Sequence, residues 1–226
     1  MSLQARGLAL ELDEALRGVV TLGWLEADGL NGEPLGDAFE RERDASIREL
    51  LRRTAGRQAA DMPGVAETRS MFHRLGVDPT KSRPASEALL RRVLQGKGLP
   101  VIHPAVDVCN LASLEHQLPI GLYDRAHLKG PIVARLGRPG ESYEGIRKGT
   151  VNVTGRPMLA DDEGAFGAPT SDSARTQVTD STRALLAVIY CPVDRPGDHL
   201  SAMLERVADM LARHCGATVH IVQTRQ

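Results

Sequence analysis

Ala184-Leu-Leu-Ala-Val-Ile-Tyr-Cys191 is a nearly continuous apolar run, the composition of a strand buried on both faces. Downstream, Leu200, Met203, Leu204, Val207, Met210 and Leu211 recur at helical spacing and predict an amphipathic helix. Gly216 stands where that helix needs a C-terminal cap, and Ala217–Val222 reads as a further strand. Strand, helix and strand in that order form a β-α-β unit at the end of the chain. Upstream, Pro131–Leu136, Gly149–Val153, Pro157–Ala160, Ala165–Phe166 and Thr176–Val178 are short segments spaced by Gly, Pro and Asp, a β-rich region with turns. Helices precede them. Asp37–Arg57 is charged, with Phe39, Ile47, Leu50 and Leu51 on one side; Pro63–Leu75 is stopped by Gly76; Pro84–Gln95 carries Leu89, Leu90, Val93 and Leu94 as its stripe; another helix runs from Pro104 to about Gln117. Near the N-terminus Val19–Leu25 reads as a strand, and Leu8–Leu12 as a strand or a short helix. The fold class is α+β: N-terminal helices packed on a β-rich half, closed by the β-α-β unit. A composition shift near residues 60–80 separates an extension at 1–62 from a domain at 63–226.

Composition narrows the function. The chain has 226 residues, 42% of them hydrophobic, which suffices for a core without disulfide or metal staples. Lys and Arg number 28 against 29 Asp and Glu, which argues against a salt-driven nucleic-acid coat over the whole surface. A local patch from Arg48, Arg52, Arg53, Arg91 and Arg92 is still expected to face phosphates. Three Phe, three Tyr and one Trp are too few for a base-stacking platform. Cys109, Cys191 and Cys215 are far apart and predict three buried thiols in a reducing cytoplasm. Met1–Arg6 lacks an apolar signal core, and no apolar run reaches membrane-spanning length. No membrane, DNA, metal or cofactor partner is expected.

The usual motifs for nucleotides, metals and nucleophilic serine are missing, so the candidate residues are scattered. Asp161-Asp-Glu-Gly164 gathers three carboxylates before a glycine, either a strand-end loop or an acid/base group; Asp161 is the candidate substrate contact. Thr170–Arg175 is polar and lies between β-like segments, either as a solvated hairpin loop or as a pocket wall in which Arg175 grips a carboxylate or phosphate. Asp107 and Asn110 share a helix face and either bind a ligand's amine and amide edge or hold the following Leu-Pro loop. Glu87, near the start of its helix, suits the helix dipole.

A set of short words sharpens the reading. Arg83-Pro-Ala-Ser-Glu-Ala-Leu-Leu-Arg-Arg92, Leu99-Pro100, Ala105-Val-Asp-Val-Cys-Asn110, Leu114-Glu-His-Gln-Leu-Pro-Ile120 and Tyr123-Asp124 are followed by Gly130-Pro-Ile-Val-Ala-Arg135, Leu159-Ala-Asp-Asp-Glu-Gly164 and Val178-Thr-Asp-Ser-Thr-Arg183. Together, over roughly residues 70–192, they resemble the B3/B4 domain of the phenylalanyl-tRNA synthetase β subunit. In that synthetase the domain is the editing module, which hydrolyses tyrosine wrongly attached to the phenylalanine tRNA. The resemblance implies a stand-alone B3/B4 protein, not itself a synthetase, with the 3′ end of an aminoacyl-tRNA as partner and ester hydrolysis in trans as activity. One site residue departs from the pattern. The synthetase carries Pro-Leu-His-Ala-Phe-Asp, whereas this chain reads Pro119-Ile-Gly-Leu-Tyr-Asp124, so Gly121 stands where the editing-pocket His is expected. For hydrolysis, Asp172 is assigned to orient water and Arg175 with Thr176 to hold the substrate or the oxyanion. The other reading is a non-catalytic module that binds tRNA, an amino acid or a similar small metabolite; a third is a partner-binding protein using its N-terminal helices.

Overall fold

The apolar run quoted above becomes an inner strand that two others flank. The computed structural model describes residues 8–225; the reading of Met1–Arg6 lies outside them. In chain order the elements are β1 (Leu10–Leu12), β2 (Val20–Asp28), α1 (Asp37–Arg53), α2 (Pro63–Arg74), α3 (Ala85–Leu94), α4 (Pro104–His116), β3 (Ile120–Asp124), β4 (Ile132–Leu136), β5 (Ser142–Gly145), β6 (Gly149–Asn152), β7 (Pro157–Asp161), β8 (Gly164–Ala168), β9 (Ser171–Asp172), β10 (Ala184–Pro192), α5 (Gly197–Cys215) and β11 (Thr218–Arg225). The fold is α+β, as the sequence pattern implies.

A four-stranded sheet runs β11-β2-β10-β3 and a five-stranded sheet runs β1-β4-β7-β8-β9. Strands β10 and β11 are both antiparallel to β2, from Ala184↔Asp28 to Pro192↔Val20 and from Thr218↔Asp28 to Arg225↔Leu22. They are therefore parallel to each other, and the β-α-β unit holds β2 between its strands. Period-two alternation divides the core. Leu25, Ala27, Leu185, Ala187 and Ile189 face α4 and α5, where they meet Val108, Leu111, Met203, Val207 and Met210. Leu22, Trp24, Leu186, Val188 and Tyr190 face the five-stranded sheet and α2, where they meet Ile132, Leu159, Phe166 and Phe72. Burial on both faces explains why the run at 184–191 shows no polar alternation.

The helical side is fastened by a smaller core of Leu50, Met62, Val65, Leu90, Val93 and Leu114 and by Arg206, which bonds Glu115 of α4 and Glu42 of α1. Cys109, Cys191 and Cys215 are buried and free. Among the described residues no helix is long and apolar enough to cross a membrane. Three local assignments change. Thr176–Val178 is irregular chain, and the ladder lies earlier, at β9. Strand β3 begins three residues after α4, because Gln117 takes a left-handed conformation (φ 56°) and turns the chain at once into an edge strand. Strand β5 has no apolar alternation to announce it; it pairs with β6 and bridges from Gly145 to Ser173.

Glu87 is not a dipole ornament. It is buried in α3 and receives Arg69 through two bonds of 2.8 and 2.6 Å, with Arg83 and Arg91 within 3.8 Å. Removing a carboxylate from beneath three guanidinium groups leaves them unpaired. Glu87→Ala is expected to lower stability by about 2–3 kcal/mol, less than for a fully dry pair because the arginines are partly solvated; urea unfolding checks this, and a loss under 0.5 kcal/mol would contradict the role.

Candidate functional site

The two sheets end side by side, with β3 as the edge of one and β9 as the edge of the other. Helix α4 passes across that junction, and a cavity of about 580 Å³ opens between them. Ile120 and Leu122 of β3, Val106, Cys109 and Asn110 of α4, Ile146 and Arg147 of the β5–β6 turn, Asp172 of β9 and residues 177–180 line it. The volume is that of a small-molecule site, and its walls divide about evenly between apolar and polar side chains.

Asp172 is the group at which the cavity meets the core. Its Oδ2 accepts from the Leu122 N–H at 3.4 Å, and its Oδ1 is fully enclosed without a partner of regular geometry. Burial pushes the carboxyl up to about 7, against the opposing pull of the Tyr123 hydroxyl, the Leu122 N–H and Lys148. The residue as a whole is half-buried. The β5–β6 hairpin fixes β9 from outside: the Tyr143 hydroxyl donates to the Ser171 carbonyl, and the Ile146 N–H donates to that of Asp172 at 3.3 Å.

Asn110, on the exposed side of α4, joins Asp172 in lining the cavity. Asp107 does not join them. Its Oδ1 accepts from the Ile102 N–H at 2.9 Å, so it holds the loop before its helix and not the Leu-Pro turn after it. Gly121 lies on β3 but turns its missing side chain toward Tyr123, away from the cavity. Arg175 and Asp161 are placed together, outside the lining. Arg175 donates to Asp161 at 3.0 and 2.8 Å, to Glu163 at 3.1 Å and to the His127 carbonyl at 2.9 Å, while its guanidinium lies 5.7 Å from the Phe166 ring centre. Burial alone raises the Asp161 carboxyl, but Arg175 and the N–H groups of Lys129 and Glu163 outweigh it and hold the carboxyl below its usual value. Thr176 is buried; its hydroxyl meets Ser173 and its carbonyl receives the Asp124 N–H. Arg48, Arg52, Arg53 and Arg92 of α1 and α3 are exposed, Arg91 is half-buried beside Glu87, and Arg52 is engaged by Glu49. Among the described residues no three His, Cys, Asp or Glu side chains converge as a metal site.

His103 enters the site without any sequence signal beyond its place before Pro104. It caps α4, its Nδ1 accepting from the Ala105 N–H at 3.3 Å, so the proton sits on Nε2. Burial lowers its pKa, which keeps the ring neutral on the cavity wall.

Residues 67–216, which contain this junction, match the B3/4 domain. The chain belongs to the B3/4 domain family. It is 35% identical over 177 residues to a phenylalanine–tRNA ligase β subunit of Nocardia farcinica, covering 65% of this chain and 20% of that relative. It is 32% identical over 139 residues to the β subunit of Thermobifida fusca, covering 62% of this chain and 15% of the relative. The B3/4 chain therefore spans a fifth or less of these curated relatives. A crystal structure of an N-terminal fragment of the Pyrococcus horikoshii phenylalanyl-tRNA synthetase β subunit aligns with 96% of this chain and 54% of its own at TM-score 0.49 and 13% identity.

The Arg175–Asp161 pair yields a stability test with a definite sign. The Asp161 side chain is buried and its folded pKa is depressed, so the stabilisation is present above the unfolded value and is lost as pH falls through the folded one. Arg175→Ala is expected to cost about 2 kcal/mol near neutrality. In acid the wild type and variant should converge below the ordinary carboxylate pKa of 3.8. Equal stabilities at pH 7 would remove the structural role.

Proposed function

We propose that the cavity takes the aminoacyl group of an aminoacyl-tRNA and that this B3/4 chain hydrolyses the ester in trans. The observation that carries the reading is Asp172, a carboxyl with a raised pKa at the floor of a cavity of ligand size, in a chain of this family. As carboxylate it accepts a proton from water as that water attacks the ester carbonyl. The proton then passes to the departing ribose oxygen, and free amino acid and tRNA result. Asn110, Arg147 and Gln177 carry donors on the cavity wall, suited to the substrate's carbonyl, while His103 keeps its Nε2 enclosed. Arg175 and Thr176 hold the wall that carries Asp172. The tRNA contact is confined to the 3′ end, which agrees with a net charge of −1, and the reaction belongs in the cytoplasm, where charged tRNA is found. The segment before residue 63 is an extension of the domain, supplying β2 to its sheet.

One observation favours the second reading, a non-catalytic module for an amino acid or a similar metabolite. Arg175, the cation assigned to the oxyanion, is already engaged by two carboxylates.

Purified protein assayed on a panel of correctly and wrongly charged tRNAs, beginning with tyrosine on the phenylalanine tRNA, separates the two. Cleavage of a mischarged species is expected, falling roughly 10²–10⁴-fold in Asp172→Ala. A base must be ionised, so the rate should rise with pH and level off above about 7. Thermal stabilisation by an amino acid with no cleavage across the panel would establish the binding module instead.

A further inference from the structure

Behind Asp172 lies a phenol admitted by two glycines. A β-carbon on Gly121 would run into the Tyr123 hydroxyl, with Cζ only 2.5 Å away, and one on Gly167 would do the same from the other side. Gly121 and Tyr123 are two residues apart on β3 and so share a face, while Gly167 pairs directly with Asp172 across β8 and β9. The ring has no room to move elsewhere. Tyr123 is wholly buried and meets Phe166 edge-on, with centroids 4.9 Å apart at 85°. Any side chain at either glycine position would expel the phenol.

The hydroxyls of Tyr123 and Tyr190 and Oδ1 of Asp172 are all enclosed, and none has a partner of regular hydrogen-bond geometry. Such groups are rare in a folded interior. The Tyr123 hydroxyl nevertheless lies against the β-carbon position of Gly167, the direct cross-strand partner of Asp172, so phenol and carboxyl share one face of the β8–β9 ladder, and the phenol favours the ionised form of Asp172. The row begins at the cavity floor and ends in the core between the sheets. A core built only for stability would place phenylalanine at 123, since the hydroxyl brings an unmatched polar group inside.

We infer that Tyr123 is a positioning residue: its hydroxyl, let in by Gly121 and Gly167, holds the Asp172 carboxyl against the Leu122 N–H at the cavity wall. This rests on the reading of Asp172 as the group that acts on the bound ligand. The glycine at 121 then has a purpose of its own. It is the space through which a hydroxyl from the same strand reaches the carboxylate. Tyr123 of β3 and Lys148 of the β5–β6 turn act on Asp172, which in turn raises Tyr190 of β10 and Tyr143 of β5, and Arg147, His103 and Asp180 share its cavity.

The test needs no substrate. In the full chain labelled with ¹³C-aspartate, the Asp172 carboxyl is assigned by its loss in Asp172→Asn and titrated by NMR. Tyr123→Phe, which removes one oxygen and keeps the packing, is expected to raise the Asp172 midpoint by about half to one unit, because a hydroxyl that favours the charged form is lost. Gly121→Ala displaces the phenol and should move the midpoint the same way. An unchanged Asp172 midpoint in folded Tyr123→Phe overturns the inference, whatever the protein hydrolyses. A shifted midpoint in a protein that cleaves no ester keeps the inference and removes only the catalytic reading.

Discussion

The site depends on a backbone constraint. Two sheets that end beside each other leave outward N–H groups on their edge strands, and such groups are not left unpaired in a folded interior. On β3 the Asp124 N–H finds the Thr176 carbonyl and the Leu122 N–H finds the Asp172 carboxylate. Neither partner is a further strand of the same sheet. The ladder stops, the chain at 173–180 bends around the edge, and the space between that bend and α4 stays open as the cavity. The carboxylate closing the hydrogen-bond account of β3 is the same one that faces the ligand space, so fold and candidate chemistry meet in one residue.

Much of the architecture was legible because it rests on patterns that burial imposes. The uninterrupted apolar run at 184–191 announces a strand covered on both faces, and the stripe from Leu200 to Leu211 announces the helix that covers one of them. The caps and breakers, Pro104 and Gly216 among them, give helix ends to within a few residues. Strand β3 escaped notice because Ile120-Gly-Leu-Tyr-Asp has a glycine at the place where alternation would show. That glycine is there for Tyr123, which no local pattern reveals.

The candidate site was less legible. Asp172 and Asn110 come together on one cavity from opposite ends of the sequence words that suggested them. Arg175 and Asp161 are also in the right neighbourhood, yet they face each other and not the cavity. Sequence spacing cannot say which of two nearby charges an arginine will choose; that is decided by the turn between β7 and β8, which brings Asp161 and Glu163 to the same guanidinium. His103 appears on the cavity wall because the same ring caps α4, a local role that fixes its tautomer.

The central claim is that the junction of β3, β9 and α4 receives the aminoacyl end of the ligand. Binding of a non-hydrolysable amide analogue of a 3′-aminoacyl adenosine, followed residue by residue by amide NMR, tests it most directly. Saturable shifts centred on Asn110, Leu122, Ile146 and Val178, and weakened by Asp172→Ala, are the predicted result. Shifts confined to the arginine-bearing face of α1 and α3, with those four amides unmoved, would contradict it.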